Sequence, residues 1–314
     1  MADGRKTAIG SRDDLNIDVS RCLRMRFSES SCRHCVDICP HGAVILDDGL
    51  TINQDACSGC MLCTAVCPVG ALEQNNDFSN TLAQLSRVAD PVLGCLRTKE
   101  CSNATLACIG GLSEEHLLAL CYTISGKLTL NLTACRDCPN LAMIPYLRQR
   151  LKALSEAELL EGDCSIVMEE SVQNIKFRDE SVCRRSFFKS FRNSLFQSAA
   201  VILSTNDEPT ERRTEYAGKR VPIRRVLLNS TRNKFSQEFE AQIQKRFDSC
   251  VSFSEACTMC QGCVAICPTG ALVTEDSDVP PVFDQLLCTR CQLCEEFCLD
   301  RALHIHSATK RNEV

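Results

Sequence analysis

The chain is predicted to fold as a multidomain protein of mixed α+β and α/β structure. Two small cysteine-built modules are expected at its ends, flanking a small cysteine-containing α/β domain and a basic insert. Three observations carry this expectation. Fifteen of the 25 cysteines fall into four short runs, grouped as two adjacent pairs near the two ends of the 314 residues. Between the pairs, apolar strand-like stretches alternate with helical ones, and each strand ends at a thiol. After them comes a segment with a strong excess of positive charge. The boundaries read as a polar tail at 1–20, a first module at 21–80, the α/β domain at 81–162, the insert at 163–249 and a second module at 250–314.

The first module holds Cys57-x2-Cys60-x2-Cys63-x3-Cys67-Pro68, preceded by the shorter Cys32-x2-Cys35-x3-Cys39-Pro40. The second holds Cys257-x2-Cys260-x2-Cys263-x3-Cys267-Pro268 and Cys288-x2-Cys291-x2-Cys294-x3-Cys298. This spacing resembles that of bacterial two-cluster ferredoxins. In those, three close thiolates hold one cubane and the fourth reaches across to the other. The resemblance implies two ferredoxin-like 2[4Fe-4S] modules, hence four [4Fe-4S] clusters. Crossed ligation assigns Cys257, Cys260, Cys263 and Cys298 to one, and Cys288, Cys291, Cys294 and Cys267 to another. It assigns Cys57, Cys60, Cys63 and Cys39 to a third. The fourth has Cys32, Cys35 and Cys67, with Glu29 where a cysteine would stand. Cys22 is taken as its fourth ligand because cysteine is the usual cubane ligand. A three-iron cluster or carboxylate ligation is the alternative. Arg24 and Arg26 would place positive charge beside this cluster.

After three of the runs, a small-residue turn leads into an apolar strand, as in His41-Gly42-Ala43-Val44-Ile45-Leu46. Pro ends one conformation, Gly permits the turn, and the apolar residues cover the cluster. Gly59 and Gly262 lie inside ligand loops, where backbone must approach inorganic sulfide. Aromatic content of 5% and the absence of Trp suit small modules packed around inorganic cores. Zinc is the other reading of CxxC pairs, but this run is not the usual tetrahedral spacing. A secreted disulfide framework is disfavoured because residues 1–20 are polar and lack an apolar signal segment.

In the middle, Pro91-Val92-Leu93-Gly94-Cys95 reads as a buried strand, and residues 106–112 as a second strand with a glycine turn. Ser113-Glu114-Glu115 offers an N-cap and first-turn acids for a helix to about Tyr122. Residues 127–132 alternate like a strand and run into Cys135-x2-Cys138-Pro139-Asn140, before a helix from about Ile144 to Leu160. Open α/β sheets place ligands at strand C-termini. Residues 92–151 resemble the small iron–sulfur (delta) subunit of methyl-viologen-reducing hydrogenases. The likeness lies in a strand ending in Cys, then Cys108-Ile109-Gly110-Gly111-Leu112, a helix, and a strand leading to paired Cys with Pro-Asn. It implies a fifth cluster, [2Fe-2S] more readily than [4Fe-4S], on Cys95, Cys108, Cys135 and Cys138. The first strand departs from the family's CxxC, having Cys95-x5-Cys101, so Cys101 is the rival ligand. Cys121 is read as core, and Cys164, Cys183 and Cys250 as isolated thiols.

From 184 to 246 the charge is +8, whereas residues 250–300 carry −7. Phe187, Phe188, Phe191, Leu195 and Phe196 recur at helical spacing, and 206–218 reads as a loop. A docking arm for an acidic subunit, or for this chain's own acidic modules, stands against a plain solvated helix and linker. Nucleic-acid binding is not expected of a chain with net charge −5 and no recognised motif. No Gly-rich dinucleotide or phosphate loop occurs, and no Cys-x3-Cys-x2-Cys of radical enzymes. The histidines form no zinc or haem signature, though His34 and His41 stand where they would tune a cluster. No apolar stretch is long enough to span a bilayer. The expectation is a cytoplasmic electron-transfer subunit of an anaerobic or oxygen-sensitive oxidoreductase, reaching a membrane only through a partner. Expected partners contain flavin, molybdenum or tungsten, or nickel, or link to a membrane quinone. An enzyme reducing its substrate at the middle cluster, or a redox or oxygen sensor, is the alternative.

Overall fold

The computed structural model describes residues 13–160, 164–177, 219–232 and 235–308. In the first module, strand β1 (Leu15–Ile17) pairs antiparallel with β4 (Leu72–Gln74), and β2 (Val44–Ile45) with β3 (Thr51–Ile52). Short helices α1 (Leu23–Arg26), α2 (His34–Asp37) and α3 (Leu62–Val66) lie between them. Leu15 and Leu72 are buried, so the pairing draws residues 15–17 out of the tail read at 1–20 and into the module. Helix α4 (Phe78–Leu85), capped by Asp77 at the Asn80 amide, leads to the middle of the chain.

There, β5 (Val92–Cys95), β6 (Ala104–Leu106), β7 (Gly126–Asn131) and β8 (Cys164–Glu169) form a parallel sheet in the order β6-β5-β7-β8. Helix α5 (Glu114–Thr123) starts where the Ser113 hydroxyl accepts the His116 amide, with two acids in its first turn. Helix α6 (Met143–Glu156) follows the paired cysteines. Strand β8 lies beyond 162, where the sequence suggests a boundary. Its alternation was hidden by the cysteine and the acids at its ends. It pairs with the whole length of β7, so the sheet has one strand more than expected.

Helices α7 (Ile223–Thr231) and α8 (Gln237–Phe247) then return to this core. Leu227, Leu228, Ile243 and Phe247 join the same buried cluster as the first module and the sheet. Tyr122, Phe235 and Phe239 pack edge-on or tilted, with ring centroids 4.6–4.9 Å apart. The final module has its own small core around Leu272 and Leu303. Strand β9 (Ser249–Phe253) pairs with β12 (Leu303–Ser307), and β10 (Leu272–Val273) with β11 (Val282–Phe283). Helices α9 (Gly262–Ile266) and α10 (Leu293–Phe297) carry Cys263 and Cys294.

The described part of the basic segment is not a free arm. Arg224 and Arg225 are buried. Arg224 pairs with Glu115 on α5 at 3.2 Å and donates to Thr64 O on α3 at 3.2 Å. Arg225 donates to Phe247 O (2.6 Å) and Cys288 O (2.9 Å) and faces the fully buried Asp248. Arg232 closes on both Asp248 oxygens at 2.5 and 2.9 Å. Arg21, also buried, donates to Gly70 O and to Arg220 O, while Glu73 accepts from Arg220 at 2.7 Å. These charges join segments of this chain to one another, because a buried guanidinium must find carbonyls or carboxylates. Arg224 and Arg225 therefore contact this chain's own modules and are not free to dock an acidic partner subunit. The aromatic helix expected at 187–196, the loop at 206–218 and Cys183 lie outside the described residues.

Asp248→Asn leaves the Arg225 and Arg232 charges facing a neutral group, so it is expected to cost about 3–5 kcal/mol. Anaerobic denaturant unfolding of the variant measures it. A loss below about 0.5 kcal/mol, the size typical of surface changes, would contradict this network.

Candidate iron–sulfur sites

Each complete cysteine run folds in the same way. Its second cysteine is flanked on both sides by left-handed residues: Gly59 and Met61, Met259 and Gln261, Arg290 and Gln292. Alternating left- and right-handed residues turn successive amides toward one centre, forming a concavity suited to anions. The helix then starts and carries the third cysteine. Gly59 is left-handed (φ 71°), whereas Gly262 is not. In that loop Met259 and Gln261 are left-handed, and Gly262 opens α9 beneath the Phe297 ring. The shorter run has no such pair, and Arg33 sits at φ −135°.

In three of the four runs the last cysteine accepts an amide four residues on. Ala43 N–H donates to Cys39 Sγ (3.3 Å), Ala71 to Cys67 (3.2 Å) and Ala302 to Cys298 (3.3 Å). The turn between needs a left-handed residue, supplied by Gly42, Gly70 and Arg301. Such donors favour sulfur in its thiolate form.

Cys22, Cys32, Cys35 and Cys67 line one hollow, with His34, Leu46, Leu50 and Leu72. Cys22 lines it from the residue before α1, while Glu29 lies exposed in a turn. Cys39, Cys57, Cys60 and Cys63 line a second hollow, with His41, Leu15 and Ile52. A third, of about 210 Å³, is lined by Cys95, Cys108, Cys135 and Cys138. Cys101 is exposed and not part of it, and Cys121 is buried on α5. In the final module, Cys288, Cys291 and Cys294 act electrostatically on one another and on Cys267. Cys263 feels Cys260 and Cys257, and Cys298 packs in the same core as Cys263. Cys250 lies on β9, with its thiol directed to backbone carbonyls of β12.

Among the described residues, no group of three or more His, Cys, Asp or Glu side chains is arranged to hold a single ion. The sulfurs instead surround hollows, as a polynuclear core requires. Burial, and then the neighbouring sulfurs, push these thiols up: Cys35 and Cys108 to about 12, Cys32 to about 11. Four thiolates do not share such a hollow at neutral pH without positive charge between them. Iron supplies that charge, so the donor sets fit iron–sulfur clusters.

The hollows adjoin. Ser58 and Gly59 line both the second and the third. Cys108 feels the charge of Cys60, and Cys63 that of Cys35. The approach depends on Gly110, where a Cβ would sit 2.4 Å from Cys60 O. The first hollow faces the final module. There Phe27 packs edge-on to Phe297 at 5.3 Å, Ser31 donates to Glu296, and Arg26 donates to Ile266 O at 3.1 Å.

Several residues near the sulfurs were not singled out in the sequence. Arg21 is buried close enough to Cys67 to feel its charge. Asn140 is buried with its amide 3.9 Å from Cys108 Sγ, and Arg97 reaches Cys138. Asn140 was visible in the Cys-Pro-Asn motif. Nothing in the local sequence marked Arg97 or Arg21.

A family model described as a 4Fe-4S binding domain matches residues 50–73. A second model of the same description matches 254–270 and 285–301. The chain therefore carries 4Fe-4S binding domains toward both ends. Comparison with curated proteins and with solved structures gave no match.

Cys22→Ala is expected to remove or convert one cluster and leave its neighbour on Cys57, Cys60 and Cys63 intact, whereas Glu29→Ala changes nothing. Iron analysis with EPR reads both. The reverse pattern would make Glu29 the ligand.

Proposed function

We propose that the chain is a multi-cluster iron–sulfur subunit that relays electrons between partner subunits of a larger oxidoreductase. Iron–sulfur clusters would supply one-electron redox chemistry at the sulfur sets, as 4Fe-4S binding domains do. In this reading Cys22 completes the set of Cys32, Cys35 and Cys67. Cys39 completes that of Cys57, Cys60 and Cys63, and Cys95, Cys108, Cys135 and Cys138 hold a fifth centre. The final module holds two, on Cys257, Cys260, Cys263 and Cys298 and on Cys267, Cys288, Cys291 and Cys294.

One observation carries the relay: the Ser58–Gly59 loop walls two sulfur hollows at once. Close spacing is what a wire needs, and the protein's part is spacing, dielectric and hydrogen bonding. Buried Arg21 beside Cys67 and Arg225 beside Cys288 would raise the potentials there by stabilising added negative charge. The hydrogenase delta-subunit likeness of the middle supports an adaptor role. No helix among the described residues is long and apolar enough to cross a membrane. We place the chain in the cytoplasm, joined to flavin-, molybdenum-, tungsten- or nickel-containing subunits or to a quinone-linked one. A second reading, substrate reduction at the middle site, is favoured by its roomier cavity of about 210 Å³ and would show as turnover by the isolated chain.

Anaerobically isolated protein is expected to hold about 16 iron atoms from four cubanes, or about 18 with a two-iron middle centre. Cys108→Ser should remove only the middle iron. Zinc as the main metal would overturn the proposal. A single injected electron should spread over several centres at a rate independent of protein concentration. A concentration-dependent rate would rule out an internal relay.

A further inference from the structure

Among the fifteen cysteines of the four runs, Cys260 alone is exposed. Around it stand large apolar side chains that no fold requires outside: Leu299 at 96% exposure, Val273 at 50%, Val282 at 46%, Val279 at 44% and Met259 at 38%. Hydrogen bonds tie them into one surface. Thr258 donates to Asp300 (2.9 Å), bringing Met259 beside Leu299. Gln261 donates to Val279 O (3.3 Å) and accepts from Thr274 (2.9 Å), bringing Val279 beside β10. Val273 and Val282 are directly opposed cross-strand partners. Glu255, Glu275, Asp276, Asp278 and Asp300 are exposed at the edges of this surface, against Arg301.

Scattered exposed apolar residues are ordinary, but a contiguous group rimmed by polar ones marks an interaction site. The position over the outermost sulfur set says what kind. We propose that this face is the docking site for a redox protein whose electron-entry surface is an apolar patch ringed by lysine or arginine. The complementary charge is the −7 of residues 250–300, which would steer a basic partner and orient it. The apolar centre would exclude water where the two redox centres approach. The proposal rests on the relay reading and gives it one terminus. One electron leaves the reduced centre at the Cys257 set, whose iron is oxidised, and reduces the partner's centre. No bond is made and no proton moves.

Cytochrome c, a basic haem protein with an exposed apolar haem edge, serves as the probe. Full-length protein is loaded with iron and reduced with dithionite, and the excess is removed. Electron transfer to ferric cytochrome c is then followed at low salt and at about 0.15 M salt. The wild-type rate is expected to fall with salt. Asp276→Lys with Asp278→Lys should lower the low-salt rate about tenfold, within the range of electrostatic steering. Leu299→Ser with Val279→Ser should lower it at both salts. Asp47→Lys with Asp48→Lys, a like charge change at exposed positions of the first module, should leave it within about twofold, since these residues are not part of the docking face. Transfer from every variant to the small dye methyl viologen should match wild type.

Equal losses from both charge changes, or none from either, would overturn the docking site. So would a concentration-dependent dimer that Leu299→Ser dissolves, because a second copy would then be the occupant. Wild-type protein that reduces the dye but not cytochrome c overturns docking and leaves the relay standing. Protein that takes up no iron overturns the relay itself.

Discussion

Sulfur placed away from water dominates this structure. A buried thiol resists ionisation, and four neighbours resist it further, yet each hollow gathers four of them. Only a positive core makes that arrangement favourable. Local backbone follows from it: left-handed residues on either side of the second cysteine, amides donated to the last one, and helices too short to stand alone. Met61, Gln261, Arg290, Gln292 and Arg301 accept a conformation that costs a non-glycine residue of order 1 kcal/mol or more. Clusters bound only by the folded chain would repay that strain through mass action.

A second constraint joins the parts. Small modules bury little surface, and the final one has a core of only a few apolar side chains. Part of its attachment runs through guanidinium groups. Buried Arg225 reaches from α7 to Cys288 O, and half-buried Arg26 reaches from α1 to Ile266 O. Buried charges add little net stability compared with apolar packing, but they demand one geometry. Here the geometry they demand sets how the sulfur sets face one another. In this way positive charge that reads in the sequence as a surface property becomes internal.

What was legible in the sequence was what repeats at short range. The spacing of Cys57, Cys60, Cys63 and Cys67 dictates a loop, and Ser113 with two acids dictates a helix start. Pairing across distance was not legible. The sequence favoured Cys22 over Glu29 only on the usual chemistry of cubane ligands; what it did not show is the tertiary contact that brings Cys22, ten residues before Cys32, to the hollow. Strand β8 depends on a neighbour about 38 residues earlier, and its own composition does not announce it. Nor did the glycines mark every left-handed position: in the Gly262 loop Met259 and Gln261 turn the backbone. The burial of Arg224 and Arg225 was not legible either, since charge counts do not say which side of a helix faces the core.

The account stands on the sulfur sets being close enough for electrons to pass directly along the chain. EPR of the fully reduced, iron-loaded protein tests this, because paramagnetic centres at such separations perturb one another's lines and relaxation. The account predicts broad, interacting spectra whose splitting at the first module simplifies when Cys108→Ser removes the middle centre. A spectrum that is a plain sum of isolated, non-interacting centres, unchanged by that substitution, would contradict it.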